Sequence, residues 1–106
     1  MKREGEMGYQ LNTNEILRLL RAEKNFLNHN FGVTDIGLFG SFAKGQSGPE
    51  SDIDLIVELK EPRFEWLAGL QIFLENKFNR KIQLIRKGNH INPRFRDRVE
   101  KEAIYA

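Results

Sequence analysis

Asp52 and Asp54 stand two residues apart in the run Asp52-Ile53-Asp54-Leu55-Ile56-Val57-Glu58-Leu59. The alternation and the Ile/Val content of that run predict a strand, and in a strand residues i and i+2 project from the same face. Two carboxylates side by side among apolar neighbours repel one another, and desolvation adds to the cost. A hard divalent cation removes the difficulty. Mg²⁺ takes one or two carboxylates and completes its octahedron with waters and substrate phosphates. The competing reading has Asp52 capping a turn after Ser51 while Asp54 faces water. A second feature favours the cation. Gly40-Ser41 closes another apolar run, with Gly45 four residues later. Glycine lets backbone approach a ligand closely, and exposed amides at a strand-to-helix turn cradle anions. Ser41 adds a hydroxyl donor and Lys44 a cation, both suited to phosphates. The spacing matches neither a P-loop nor a dinucleotide fingerprint.

The elements that must position these groups follow from periodicity. Ile16, Leu17, Leu20, Leu27 and Phe31 recur at helical spacing, with Asn12 and Glu15 as a capping box and Gly32 as a stop. One helix is expected from Asn12 to about Phe31. Asp35–Gly40 reads as a strand, and residues 41–51 as a helical turn followed by a loop. Asp52–Leu59 is the second strand. Pro62 suits the first turn of a helix whose apolar face is Phe64, Leu67, Leu70, Leu74 and Phe78. Lys81–Ile85 is a third strand, and Pro93 opens an amphipathic helix through Phe95, Val99 and Ala103. The expected fold is α/β (α+β): one small mixed sheet with helices packed on it, in the order α-β-(α)-β-α-β-α. Residues 1–11 read as a flexible tail and 12–106 as the single domain.

The stretch Gly40-Ser41-Phe42-Ala43-Lys44-Gly45, followed by Ser51-Asp52-Ile53-Asp54-Leu55, resembles the signature of the nucleotidyltransferase superfamily that includes DNA polymerase beta. Its details are similar to those of the minimal nucleotidyltransferases, antitoxin partners of HEPN-domain toxins in prokaryotes. The resemblance continues through Asn79-Arg80-Lys81-Ile82-Gln83-Leu84-Ile85 and the closing segment from Pro93 to Tyr105. It implies that Gly40 and Ser41 bind a triphosphate, ATP or another NTP. Asp52 and Asp54 would be the catalytic pair, holding Mg²⁺ (or Mn²⁺). The reaction would be attack of a hydroxyl on the α-phosphorus with release of pyrophosphate, and the acceptor would sit on a HEPN partner. One position departs. The family's third carboxylate falls at Gln83, and a neutral amide neither accepts a proton nor ligates Mg²⁺ well. Glu58 is a poor substitute, since it lies roughly 13 Å along the strand from Asp54.

Composition narrows the rest. The chain has 106 residues, 17 basic and 15 acidic side chains, a net charge of +2 and no cysteine. It fits one domain, without a disulfide framework or a thiolate metal site. The charge balance argues against nucleic acid as the main partner. No run is long and apolar enough to span a bilayer, and the N-terminus lacks a secretory signal, so no membrane role and a cytoplasmic location are expected. The basic residues between Arg80 and Arg98 suit either a solvated face or a polyanion patch. His29 and His90 lack the spacing of a zinc site. Trp66 and the phenylalanines are read as core. Tyr105 suits packing, an interface or modification equally. Homo-oligomerisation stays open. Three functions compete: an AMP-transferring antitoxin, a catalytically weak or inactive nucleotide-binding module that masks its partner, and a nucleotide sensor or transferase subunit.

Overall fold

The computed structural model describes residues 11–88 and 90–106. The expected tail at residues 1–10 lies outside the described residues, and Leu11 packs against the core. The leading helical segment is two helices. Helix α1 spans Thr13–Ala22 and α2 spans Lys24–Phe31. The Asn12 side chain accepts the Glu15 N–H at 2.9 Å, as the capping pattern predicts. The expected continuous helix breaks at Glu23, whose N–H reaches back to Leu20 at 3.1 Å in a tighter turn. The polar run Glu23–Asn25, which interrupts the apolar stripe, leaves little packing to resist that break. Glu23 instead pairs with Lys77 of the helix opposite at 3.0 Å. Gly32 ends α2 with φ +65°, under the Trp66 ring, which a Cβ there would approach to 2.2 Å.

Strand β1 (Val33–Phe39) runs into the short helix α3 (Gly40–Ala43). Strand β2 (Ile53–Leu59) follows, then α4 (Phe64–Phe78), β3 (Ile82–Arg86), α5 (Pro93–Glu102) and β4 (Ile104–Tyr105). The sheet order is β3-β2-β1-β4. β1 pairs antiparallel with β2 and with β4, whereas β2 and β3 are parallel and use α4 as the crossover that parallel neighbours need. The two-residue β4 was not anticipated, because two residues carry no periodicity.

Alternation divides the sheet between two unequal layers. Ile36, Leu38, Ile53, Leu55, Val57 and Ile82 face α1, α2 and α4, and their partners include Ile16, Leu20, Leu27, Leu70 and Leu74. Phe39 and Ile56 face the other way and meet Val99, with Phe95, Ile85, Ala103 and Tyr105 around them. Among the described residues α5 is the helix that covers that second face. Phe64, expected in the core, is 81% exposed at the first position of α4. Among the described residues no helix is long and apolar enough to cross a membrane.

Candidate active site

Asp54 and Gly40 meet because of strand register. Phe39, the last residue of β1, is the cross-strand partner of Asp54, so the turn that follows it brings Gly40 to the Asp54 side chain. A Cβ on Gly40 would lie 2.1 Å from Asp54 Oδ2, and Gly40 has φ +73°. Both facts require glycine: an L side chain would strain the backbone and displace the carboxylate. α3 then turns away, with Phe42 buried beneath it and its carbonyl accepting from Thr13 Oγ1. Gly45 has φ +70°, and the Gln46 N–H donates to the Ser41 carbonyl at 2.9 Å.

Asp52 immediately precedes β2 in a loop fastened from several sides. The Arg80 guanidinium donates to the Ser51 carbonyl at 3.0 Å and lies 5.4 Å from the Phe42 ring centroid. Ser51 Oγ accepts the Gly48 N–H at 2.7 Å, and the Ile53 N–H donates to the Lys81 carbonyl at 3.0 Å. The carboxyl of Asp54 titrates above its ordinary value, chiefly through burial and then through the charge of Asp52. This is the repulsion expected of the pair. Asp54 is half-buried: one side of its carboxylate lies against Gly40.

On the α5 side of the sheet a cavity of about 350 Å³ opens beside Asp54. Its walls include Gly40, Lys44, Asp54 and Gln83, together with Phe95, Arg98 and Glu102 of α5. Its size falls at the low end of the roughly 300–1,000 Å³ usual for small-molecule sites. Gln83 pairs in register with Asp54 on the parallel neighbour strand, so an amide occupies the position next to the carboxylate. Ser41 and Asp52 stand outside this lining. Glu58 is in register with Asp35, further along the sheet.

Among the described residues no three His, Cys, Asp or Glu side chains gather as a metal cluster. The two aspartates still suit Mg²⁺: they supply hard oxygen donors and opposing charges, and substrate phosphates and water can fill the remaining positions. The basic run beginning at Arg80 is dispersed. Arg80 ties down the loop, Arg86 contacts His90 Nδ1 at 3.2 Å, Lys87 lies over Tyr105, and Arg98 lies over Phe95. From the sequence Arg98 reads only as the end of the basic run, and Glu102 carries no assignment. Their signal was the i, i+4 spacing of Arg98 and Glu102, which puts both on the same side of the helix as Val99.

Comparison with known proteins agrees with this geometry. The nucleotidyltransferase domain family matches residues 20–106, and the chain belongs to that family. Its enzyme class is therefore nucleotidyltransferase. MJ1379 of Methanocaldococcus jannaschii, named as a candidate protein adenylyltransferase, is 38% identical over 86% of this chain and 94% of its own length. The protein adenylyltransferase MntA of Thermococcus cleftensis is 34% identical over 74% and 81%. A solved structure described as a candidate minimal nucleotidyltransferase superposes with a TM-score of 0.75 at 31% identity, covering 92% of this chain and 98% of the other. A chain from the complex of the tri-AMPylated Shewanella oneidensis HEPN toxin with its MNT antitoxin shares the fold, with a TM-score of 0.55 at 22% identity, over 91% of this chain and 69% of the other.

Proposed function

We propose that the protein transfers AMP from Mg·ATP to a hydroxyl group on a HEPN-domain toxin and thereby acts as its antitoxin in the cytoplasm. The observation that carries this reading is the Asp54 carboxylate seated on Gly40 at the wall of an open cavity, with the charge of Asp52 acting on it. The adenylyltransferase names of the relatives and the AMP-bearing toxin beside an MNT antitoxin support the choice of nucleotide and acceptor.

Asp52 and Asp54 would hold Mg²⁺, which when bound neutralises phosphate charge and orients the two reactants. Gly40 admits the triphosphate by presenting bare backbone, with Ser41 on the same turn as a hydroxyl donor. Lys44 offers a cation from the cavity wall. The phenylalanine and arginine of α5 line the opposite side. The cavity is open, so the partner would bring its hydroxyl to the cavity mouth. In the transfer a bond forms between the acceptor oxygen and the α-phosphorus, and pyrophosphate leaves.

The test is incubation with a HEPN-domain partner, Mg²⁺ and ATP carrying a labelled α-phosphate, followed by intact-mass analysis. A gain of one or more AMP units on the partner is expected, with ATP preferred over the other three nucleotides. A second reading is favoured by one observation. Gln83 sits where a third carboxylate would serve the acceptor, which suits a module that binds nucleotide and masks its partner without chemistry. Tight partner binding with no mass gain would establish that reading instead.

A further inference from the structure

We infer that Glu102 is the carboxylate that takes the acceptor's proton in this chain, and that Lys44 holds it in the nucleotide-free protein until a triphosphate claims Lys44. The inference rests on the transferase reading. The cavity wall carries two carboxylates, Asp54 and Glu102. Asp54 lies against Gly40 and, in the transferase reading, is taken up with Asp52 in holding Mg²⁺. Gln83, next to it in register, cannot accept a proton. Glu102 is left, and it approaches from the opposite wall.

Its placement is built rather than incidental. Phe95, Arg98, Val99 and Glu102 recur at helical spacing and form one stripe of α5 facing the cavity. Val99 is wholly buried and anchors that stripe. Immediately after Glu102 the Ala103 N–H donates to the Val99 carbonyl at 2.7 Å, and β4 pairs with β1. The backbone is thus held on both sides of Glu102. Glu102 Oε2 lies 3.6 Å from Lys44 Nζ, and the lysine is the more exposed partner, at 49% against 27%. A half-exposed ion pair of this kind is weak. A triphosphate carries several charges, so it would draw Lys44 away and leave the Glu102 carboxylate free in a site it already faces. The acceptor O–H then breaks, its proton passing to a Glu102 oxygen. The acceptor oxygen bonds to the α-phosphorus, and the bond from phosphorus to the bridging oxygen breaks, with the electron pair leaving on pyrophosphate.

Glu102→Gln, Glu102→Asp and Lys44→Ala test this, using calorimetric titration with Mg·ATP and transfer of labelled AMP to the HEPN-domain partner. Glu102→Gln is expected to slow transfer about 10²–10⁴-fold. Its Mg·ATP affinity should stay equal or rise several-fold, because Lys44 is no longer engaged. Glu102→Asp should recover part of the rate, and Lys44→Ala should mainly weaken Mg·ATP binding. Transfer by Glu102→Gln at the wild-type rate overturns the proton-accepting role. So does a loss fully explained by weaker nucleotide binding, which would make Glu102 a support for Lys44. If the wild type binds Mg·ATP yet transfers to no acceptor, the transferase reading falls and the Glu102 role falls with it. Wild-type transfer beside an unaffected Glu102→Gln removes the Glu102 role alone.

Discussion

Gly40 is the residue on which two demands converge, a left-handed backbone and a carboxylate in van der Waals contact. Gly40→Ala must meet a conformational cost of about 1–2 kcal/mol and also displace Asp54. Denaturant unfolding should show at least that loss, and calorimetry should show Mg·ATP binding greatly weakened. Normal binding by this variant would mean that Asp54 can act from another position. Asp54 itself carries a pH signature. Its folded carboxyl titrates above the ordinary 3.8, so the folded state holds that proton more tightly than the unfolded chain. The protonated form stabilises the fold fully below about 3.8, and that advantage is lost as pH rises through the raised value. Asp54→Asn should therefore match wild type at acidic pH and exceed its melting temperature at neutral pH without metal, while losing Mg·ATP affinity. A melting difference that does not change with pH would remove burial and the Asp52 charge as the cause. Gln83 supplies the complementary test. With Glu102 taking the acceptor's proton, Gln83→Asp should change transfer and nucleotide affinity little; a rise of about 10²–10⁴-fold in transfer would mean that Glu102 does not replace the missing acid.

Local pattern carried most of the elements, and the exceptions have physical causes. Asn12, Gly32, Pro93 and the alternation of β2 are short-range signals whose structures lie in the same few residues. Glu23, where the helix breaks, pairs with Lys77, more than 50 residues away, and β4 is a strand through its pairing with β1. No window along the chain contains either partner. The candidate site divides the same way. Gly40 and Asp54 were legible as a motif, whereas the roles of Glu102 and Arg98 required knowing where α5 lies. Arg80 is the element-scale case. Within a run of basic residues it resembles part of a patch, yet it fastens the loop before β2 by the Ser51 carbonyl and the Phe42 ring. Arg80→Met keeps much of the apolar stem and removes the donors. Amide exchange around Ser51 should quicken, and Mg·ATP affinity should fall as Asp52 loses its fixed position, while overall stability changes by only about 1 kcal/mol. Unchanged exchange there would show that the loop holds without Arg80.

At the scale of the whole molecule, the two faces of the sheet do different work. One is closed by α1, α2 and α4 over a continuous apolar layer. The other is covered, among the described residues, by α5, with the cavity beside Asp54 open. Stability should therefore be concentrated on the first face and ligand response on the second. Leu74 and Val99, each wholly buried, allow the two to be compared. Leu74→Ala should cost about 2–5 kcal/mol, yet leave the affinity of the folded molecules for Mg·ATP close to wild type. Val99→Ala deletes two methyl groups, about 0.8 kcal/mol each by transfer alone, with a cavity penalty in addition. It also loosens the anchor that holds Phe95, Arg98 and Glu102 against the site, so it should weaken Mg·ATP binding out of proportion to its stability cost. Thermal unfolding with and without ligand measures both quantities. Ligand at 100 times Kd stabilises a binding-competent fold by about 2.7 kcal/mol. Leu74→Ala should keep that increment on a lowered baseline, and Val99→Ala should lose most of it. Equal increments in the two variants would mean that α5 covers the sheet without shaping the site, and the cavity would then owe its form to Gly40 and the strand ends alone.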